Sequence, residues 1–194
     1  MANEPKILAF AGSARAESWN KKLVPAATAG AEQRGAAVTT IDLRDFPMPI
    51  FDEDFEAAEG APEHARRFKR LLMEHDGFLI ACPEYNSSIT PLLKNVIDWA
   101  TRPDKDDAGP LVAFRGKCAA LMAASSGALG GLRGLVTVRS ILSNIGVLVV
   151  PTQVAVPRIH ELIGEDGCLA DDAMRERLHN PGGALADLLF KMKG

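Results

Sequence analysis

The sequence predicts a doubly wound α/β fold, in which helices cover both faces of a parallel sheet. Three observations indicate this fold: apolar runs of strand length recur along the 194 residues, segments of helical periodicity separate them, and polar or glycine-rich loops follow several of the runs. Continuous apolar runs suit parallel strands that are buried on both faces. We expect a single domain over residues 1–194, because this length is sufficient for one well-buried core and marginal for two.

The strands are expected where apolar side chains follow one another without interruption. The four buried strands are predicted at Ile7–Ala11, Phe78–Cys82, Ala119–Ala124 and Val147–Val150. A fifth run, Val38–Leu43, mixes threonine and aspartate with apolar residues, and this weaker pattern suits an edge strand.

The helices are expected between these strands, where apolar residues recur at helical spacing. One helix follows Pro62, one follows Thr90-Pro91, and one runs over 132–145 until Gly146 ends it. Thr90 can accept an N-cap hydrogen bond, and Pro91 fits the first helical position because its missing N–H costs nothing there.

Two helical regions contain residues that disfavour a continuous helix. Pro25 lies inside the first crossover segment, 20–33, where it removes a backbone hydrogen bond, so we expect a kink or a late helix start. Beyond Pro151 we expect two helical pieces, around 171–178 and 184–191, divided by Pro181-Gly182-Gly183. The longest loops are predicted at 45–62 and 101–115.

Composition and charge exclude several classes of function. The net charge of −3 and the isoelectric point of about 5.8 argue against a nucleic-acid partner, which requires concentrated lysine and arginine. No apolar run approaches the roughly 20 residues of a membrane span. The amino terminus passes directly into a strand without a basic leader, so we expect a cytoplasmic protein that has no membrane partner.

Cysteine and histidine spacing predicts neither disulfides nor a metal site. The cysteines are Cys82, Cys118 and Cys168, an odd number without paired spacing, which favours reduced thiols. The four histidines form no close ligand pair, and no standard metal-binding motif occurs.

The loop after the first strand carries groups that suit a phosphate. Ser13, Ser18 and Asn20 offer side-chain donors ahead of a helix, and Arg15 offers a positive charge with a planar fork of N–H groups. A phosphate monoester is stabilised at a helix amino terminus, where the backbone dipole also favours negative charge. The alternative is a plain N-cap cluster, because serine and asparagine favour helix starts in any case.

The loop after the third strand suits a flat heterocycle. It consists of Pro83, Glu84, Tyr85, Asn86 and Ser87. Backbone N–H groups in this loop can reach the polar edge of a ring, and Tyr85 can pack against the ring. The alternative is a turn that only caps the following helix. A phosphate loop and a heterocycle loop at the same sheet edge together indicate a flavin mononucleotide (FMN) site.

The loop after the fourth strand contains hydroxyls and glycines at the same edge. Ser125 and Ser126 can donate to the flavin edge, while Gly127 and Gly130 permit close approach of the backbone. The glycine spacing does not match the dinucleotide-binding fingerprint. The alternative is an ordinary glycine-rich turn.

Taken together, the three loops resemble those of the NADPH-dependent FMN reductase family. Gly12-Ser13-x-Arg15-x-x-Ser18-x-Asn20 is similar to the family's phosphate loop. The family's ring-binding loop and helix are similar to Pro83-Glu84-Tyr85-Asn86 followed by Leu93-Lys94-Asn95-x-Ile97-Asp98-Trp99. The family's third flavin loop is similar to Ser125-Ser126-Gly127-x-x-Gly130-Gly131.

The resemblance implies a flavodoxin-like three-layer sandwich with a five-stranded parallel sheet in the order 2-1-3-4-5. It also implies bound FMN, reduction by NADPH or NADH, and electron transfer to an acceptor such as a quinone, chromate, an azo dye or free flavin. A homodimer or homotetramer is implied as well, with the flavin near a subunit boundary and the segment 45–62 contacting a neighbour. No catalytic acid or base is required, so no catalytic side chain is expected.

Two other functions fit parts of the sequence. A flavodoxin-type electron carrier would bind FMN without nicotinamide turnover, although such carriers shield the ring with aromatics, and Trp19 and Trp99 are expected away from it. A serine hydrolase would use Ser125, since Ala123-Ala-Ser125-Ser-Gly127 approximates a nucleophile elbow with alanine in place of the first glycine. That reading leaves the phosphate loop unexplained.

Overall fold

The computed structural model describes residues 4–105 and 107–194. The strands are, in chain order, β1 (Lys6–Ala11), β2 (Ala37–Thr40), β3 (Gly77–Ala81), β4 (Glu84–Tyr85), β5 (Ser88–Ile89), β6 (Cys118–Ala124) and β7 (Leu148–Val156). Five of them form a parallel sheet in the order β2-β1-β3-β6-β7, and β4 pairs with β5 in a separate antiparallel hairpin. Numbered among themselves, the sheet strands have the predicted order 2-1-3-4-5.

The helices are α1 (Trp19–Glu32), α2 (Glu53–Glu59), α3 (Glu63–Glu74), α4 (Pro91–Thr101), α5 (Leu132–Asn144) and α6 (Asp172–Lys193), with short 3₁₀ turns at Leu43–Asp45 and Ile159–Glu161. The predicted start of α4 is confirmed, because the Leu93 N–H donates to Thr90 Oγ1 at 3.1 Å and Pro91 occupies the first position. Gly146 follows the end of α5 with a φ of +89°, a conformation that favours glycine. Over the residues described, no helix combines the length and apolar character that crossing a membrane requires.

Two apolar clusters, one on each face of the sheet, confirm the predicted three-layer arrangement. Ile7 and Ala9 of β1 pack with α1 and α6 on one face. Leu8 and Phe10 of the same strand pack with α3, α4 and α5 on the other face. All four residues are buried. The continuous apolar runs therefore correspond to strands covered on both sides.

Several predicted boundaries differ from the structure. The edge strand β2 is shorter than expected, since it ends at Thr40 and Leu43 begins a 3₁₀ turn. Strand β7 is longer, because it continues past Pro151 as an irregular edge strand, where a missing N–H is tolerated. The predicted loop 45–62 contains α2, whose first-turn N–H groups at Asp54 and Phe55 donate to the Asp52 side chain.

The expected interruptions in α1 and α6 are wrong in two respects. Helix α1 begins at Trp19 and continues through Pro25, so it does not start late. Helix α6 is continuous through Pro181 and the two following glycines, so the tail is not divided. The glycines instead permit close contact between these two helices, because a Cβ atom at Gly182 would overlap the carbonyl oxygen of Ala27.

The cysteines are unpaired, as predicted. Cys82 and Cys118 are buried in the core, and Cys168 is exposed. Burial raises the pKa of the Cys82 thiol, which keeps it protonated and unreactive.

The close contact between α1 and α6 predicts opposite effects for two adjacent glycines. We expect Gly182→Ala to lower the free energy of unfolding by at least about 2 kcal/mol, because the added methyl group overlaps the α1 backbone. Gly183→Ala is the matched control: its Cβ would lie 3.5 Å from the Gly30 carbonyl oxygen, and alanine favours the helix by about 0.5–1 kcal/mol. Urea denaturation followed by circular dichroism measures both. Equal stabilities would contradict the contact.

Candidate functional site

The three predicted loops converge on one cavity of about 200 Å³ at the carboxyl edge of the sheet. Its lining residues are Ser13, Arg15, Ser18, Trp19, Asn20, Pro83, Glu84, Tyr85, Ala124, Ser125 and Ser126. Asn86, Ser87, Gly127 and Gly130, which the sequence also indicated, lie in the same loops beside the cavity. Larger cavities of about 610 and 470 Å³ lie along α1 and α6, but only the smaller one receives polar groups from all three loops.

Thr90 connects the first loop to the start of α4, the helix that follows the second loop. Its hydroxyl donates to the Gly12 carbonyl oxygen at 2.7 Å while accepting the Leu93 N–H that starts α4. The Gly12 N–H donates to the Ala81 carbonyl oxygen at 2.8 Å, at the end of β3. The first loop is therefore held against both the strand and the helix that enclose the second loop.

Asn20 connects the first loop to the end of β6, the strand that precedes the third loop. Its Nδ2 donates to the Ala124 carbonyl oxygen at 2.9 Å, and the Ala124 N–H donates to its Oδ1 at 3.0 Å. Asn20 is buried, so these bonds replace water at both atoms. The predicted donor Asn20 thus holds the start of α1 against the end of β6.

The start of α1 has the properties of an anion site. The Ser18 side chain makes no capping hydrogen bond, and the first turn contains no acidic residue. The N–H groups of Trp19 and Asn20 have no acceptor among the described residues, as expected at a helix start. Ser13 is buried close by, where its Oγ accepts the Arg15 N–H at 3.2 Å. These free donors at the positive end of the helix dipole favour a bound phosphate.

Trp19 is a site residue that the sequence did not indicate. It lines the cavity as the first residue of α1, with the Arg15 guanidinium 5.3 Å from its ring centroid. The His160 ring lies on it at a centroid separation of 6.3 Å. The other tryptophan, Trp99, is buried and donates to the Pro49 carbonyl oxygen at 2.8 Å, away from the three loops as expected. Adjacency to Ser18 was the signal that could have located Trp19.

The second loop is a β-hairpin rather than a simple cap for α4. Glu84 pairs with Ile89 and Tyr85 with Ser88, while Asn86 and Ser87 form the tip with φ values of +50° and +68°. Positive φ at both central residues matches a type I′ turn, which fits the twist of a hairpin. Tyr85 lines the cavity and is 56% exposed, so its ring is available to a ligand.

Glu84 joins the second loop to the start of α5. Its Oε1 accepts from the Arg133 Nη2 at 2.7 Å, and its Oε2 accepts from the Gly134 N–H at 3.0 Å. Burial acts to raise the pKa of Glu84, but the Gly134 and Arg133 hydrogen bonds outweigh it and hold that pKa below its usual value. Glu84 is therefore a charged structural group, not an acid available for proton transfer.

The third loop is shaped by contact with the end of β7. Gly130 has a φ of +62°, and a Cβ atom there would lie 2.6 Å from the Pro157 backbone nitrogen. The Gly127 carbonyl oxygen accepts the Arg158 N–H at 3.2 Å. These glycines therefore position the loop, while Ser125 and Ser126 face the cavity. In residues 4–105 and 107–194, no three histidine, cysteine, aspartate or glutamate side chains form a group suited to a metal.

Comparison with known proteins agrees with this geometry. Residues 5–161 match the model of a family described as NADPH-dependent FMN reductase. The chain is 31% identical over 195 residues to an NAD(P)H-dependent FMN reductase of Pseudomonas aeruginosa, with 100% of both chains covered. It is 32% identical over 205 residues to an NAD(P)H:quinone oxidoreductase of Solanum tuberosum, covering 100% of this chain and 98% of that one.

A solved structure gives the same result for the fold. FerB, a flavoenzyme NAD(P)H:(acceptor) oxidoreductase of Paracoccus denitrificans, superposes with a TM-score of 0.79 at 28% identity, covering 98% of this chain and 99% of that one.

The bonds of Glu84 predict a pH-dependent contribution to stability. A folded-state pKa below the unfolded value of about 4.3 means that the contribution is present above that value and is lost as pH falls through the folded pKa. We expect Glu84→Gln to lower the free energy of unfolding by about 1–2 kcal/mol at pH 7, with a smaller difference below about pH 4. Chemical denaturation at several pH values measures it.

The matched control is Glu74→Gln, since Glu74 is exposed on α3 and has no ion pair among the described residues. It should change stability little at any pH. A Glu84→Gln difference that stays constant from pH 7 to pH 3 would contradict the charged state of Glu84.

Proposed function

The chain belongs to the NADPH-dependent FMN reductase family, and on that premise we propose that it binds FMN at the three-loop cavity and uses it to pass electrons from NADPH or NADH to a small acceptor. The observation that carries this proposal is the convergence of an anion site and an exposed hairpin tyrosine on one cavity. Quinones are the acceptors proposed first, because the Solanum tuberosum relative is a quinone oxidoreductase.

The phosphate of FMN is assigned to the start of α1. The Ser18 hydroxyl, the Ser13 hydroxyl and the first N–H groups of the helix supply hydrogen-bond donors, and Arg15 supplies the positive charge. Arg15 has no ion pair with any described carboxylate, so its charge is free for a ligand. Asn20 contributes by fixing the position of this helix start.

The ring of FMN is assigned to the hairpin loop and to the serines of the third loop. A cavity of about 200 Å³ is smaller than the 300–1,000 Å³ typical of sites that enclose a ligand of this size. The phosphate end of FMN would lie inside this cavity, and Pro83 and Tyr85 would hold the ring at its open side. A ring held in this way would leave room for a nicotinamide or an acceptor to stack.

The residues of the site bind and orient, and none is assigned a proton transfer. Bound FMN supplies the hydride-accepting and electron-donating chemistry of this class of enzyme. Backbone N–H groups of the hairpin and the hydroxyls of Ser125 and Ser126 would supply fixed dipoles to the polar edge of the ring. Glu84 holds these elements together through Arg133 and Gly134.

The two alternative functions have less support. A flavodoxin-type carrier would need aromatic cover on the ring, but Trp19 lies beside Ser18 at the phosphate end and Tyr85 is mostly exposed. A serine hydrolase would need a base on Ser125, and no hydrogen bond joins the Ser125 hydroxyl to a histidine among the described residues.

We propose further that residues 1–194 act as one flavin-binding domain, that the protein is cytoplasmic, and that it forms a homodimer or homotetramer. The free cysteines support a reducing compartment. The oligomer is supported by Ile50, which is 83% exposed although Asn95 fixes both neighbours, accepting from Phe51 and donating to Pro49. Ile50 lies in the segment 45–62, for which the family resemblance implies a contact with a neighbouring subunit. A monomeric mass in sedimentation velocity would refute it.

The enzymatic proposal is tested with the purified protein, FMN and a quinone. We expect the protein to take up FMN, to turn yellow, and to oxidise NADPH or NADH faster when the quinone is added. A protein that binds FMN but consumes neither nucleotide would be an electron carrier. A colourless protein that fails to take up added FMN would overturn the site assignment as well.

The phosphate assignment predicts that Arg15→Ala weakens FMN binding by about 1.5–3 kcal/mol, through loss of a charge-assisted hydrogen bond. Titration of FMN fluorescence measures the dissociation constant. Arg177→Ala is the control, because Arg177 is an exposed arginine on α6 without a described ion pair, and it should leave the constant unchanged. Equal FMN affinity for the two variants would remove Arg15 from the phosphate site.

A further inference from the structure

The segment 157–161 lies next to the third loop of the flavin cavity. Backbone hydrogen bonds hold it to the third loop: the Arg158 N–H donates to the Gly127 carbonyl oxygen and the Ile159 N–H to the Ser125 carbonyl oxygen, each at 3.2 Å. Ser125 itself lines the cavity. Arg158 and Ile159 are thus bonded directly to the loop that carries Ser125 and Ser126.

The backbone of Arg158 is held in an unusual conformation. Its φ of +45° lies in the left-handed region, which residues other than glycine rarely adopt. Such a conformation persists where the surrounding structure imposes it, and it is frequent at ligand sites. The hydrogen bonds of residues 158 and 159 to the third loop impose it here. The side chain of Arg158 is 67% exposed, so the guanidinium is accessible.

The same segment also contacts the first loop. The His160 ring packs on Trp19 with an interplanar angle of 38°, and Arg15 lies over the same indole. His160 is half-exposed. The rim therefore runs from Arg15 through Trp19 to His160 and Arg158, which gives an aromatic surface between two guanidinium groups.

Arg158 is an arginine near the cavity to which the proposed function assigns no ligand. The Lys22 ammonium group donates to the Glu17 carboxylate and to the Gly167 carbonyl oxygen, and the Arg133 guanidinium forms an ion pair with Glu84. FMN has a single phosphate, which Arg15 binds in the proposed function. Among the described residues, Arg158 is paired only with the Glu161 carboxylate, at 3.7 Å from Nε, a separation too long for a hydrogen bond.

We propose that Arg158, with His160 and Trp19 beside it, binds the phosphate-bearing adenosine end of the reduced nicotinamide nucleotide. This inference rests on the proposed function, because it places the nucleotide over the same cavity that holds FMN. The ligand chemistry is a phosphate ester joined to a flat base: the guanidinium binds the phosphate, and the Trp19–His160 surface accepts the adenine. The phosphate is either the diphosphate shared by NADPH and NADH or the 2′-phosphate of NADPH alone.

Glu161 makes the proposal testable in both directions. Its carboxylate lies near Arg158 and at 3.9 Å from His160, so it competes with a bound phosphate. Removing the carboxylate strengthens nucleotide binding, whereas removing the guanidinium weakens it. A purely structural role for this ion pair would instead make the two changes act in the same direction.

The kinetic test compares Arg158→Asn and Glu161→Gln, loaded with FMN, using NADPH, NADH and 1-benzyl-1,4-dihydronicotinamide, which has no phosphate. Asparagine is chosen because it tolerates the left-handed conformation. For Arg158→Asn, the ratio of kcat/KM for NADPH to that for the benzyl donor falls about ten-fold. For Glu161→Gln the same ratio rises about two- to five-fold. The same ratio to the benzyl donor is measured for NADH. If the ratio falls for NADPH and not for NADH, the 2′-phosphate is bound; if it falls for both nucleotides, the diphosphate is bound.

A binding test does not depend on turnover. Calorimetric titration with adenosine 2′,5′-bisphosphate, ADP and adenosine should show tighter binding of a phosphorylated ligand to the wild-type protein, and loss of that preference in Arg158→Asn. Arg177→Ala is the control. If the wild-type enzyme oxidises nucleotides but Arg158→Asn changes neither the ratio nor the titration, this inference fails and the proposed function stands. A change confined to an anionic acceptor such as chromate would also overturn it. No nucleotide oxidation by the wild type would refute both.

Discussion

The hydrogen-bonded pair between the Asn20 side chain and the Ala124 backbone is the contact on which the site depends. It joins the first residues of α1 to the last residue of β6, two points that lie 104 positions apart in the chain. Thr90 makes the equivalent connection from the first loop to α4. Both side chains are buried, so loss of either would leave unsatisfied polar groups without water. The three loops consequently behave as one rigid unit.

The electrostatics of this unit follow from which charges are already engaged. Glu84, the carboxylate of the hairpin loop, is neutralised by Arg133 and by the start of α5. The start of α1 has no acidic residue, and Arg15 beside it has no described ion pair. The cavity is therefore positive at its α1 end within a protein whose net charge is −3. Local arrangement, not overall charge, determines what binds there.

The sequence predicted the strands and the three loops because both depend on local signals, whereas the family resemblance supplied the sheet order. Buried parallel strands are continuous apolar runs, and the loops that follow them must meet at one edge. What it did not predict depends on contacts between distant segments. Pro25 and Pro181 suggested breaks in two helices, whereas the small residues around them let α1 and α6 pack closely. That Trp19 lines the cavity was not predicted, because its position depends on where α1 begins.

The buried and the exposed residues of the site have different roles. Ser13, Ser18 and Asn20 are buried and fixed by the fold, so they suit recognition of a cofactor that does not change. Arg15, Tyr85 and Arg158 are exposed on the rim, where a substitution disturbs little packing. Selection for a different donor or acceptor can therefore act on the rim without destabilising the sheet edge.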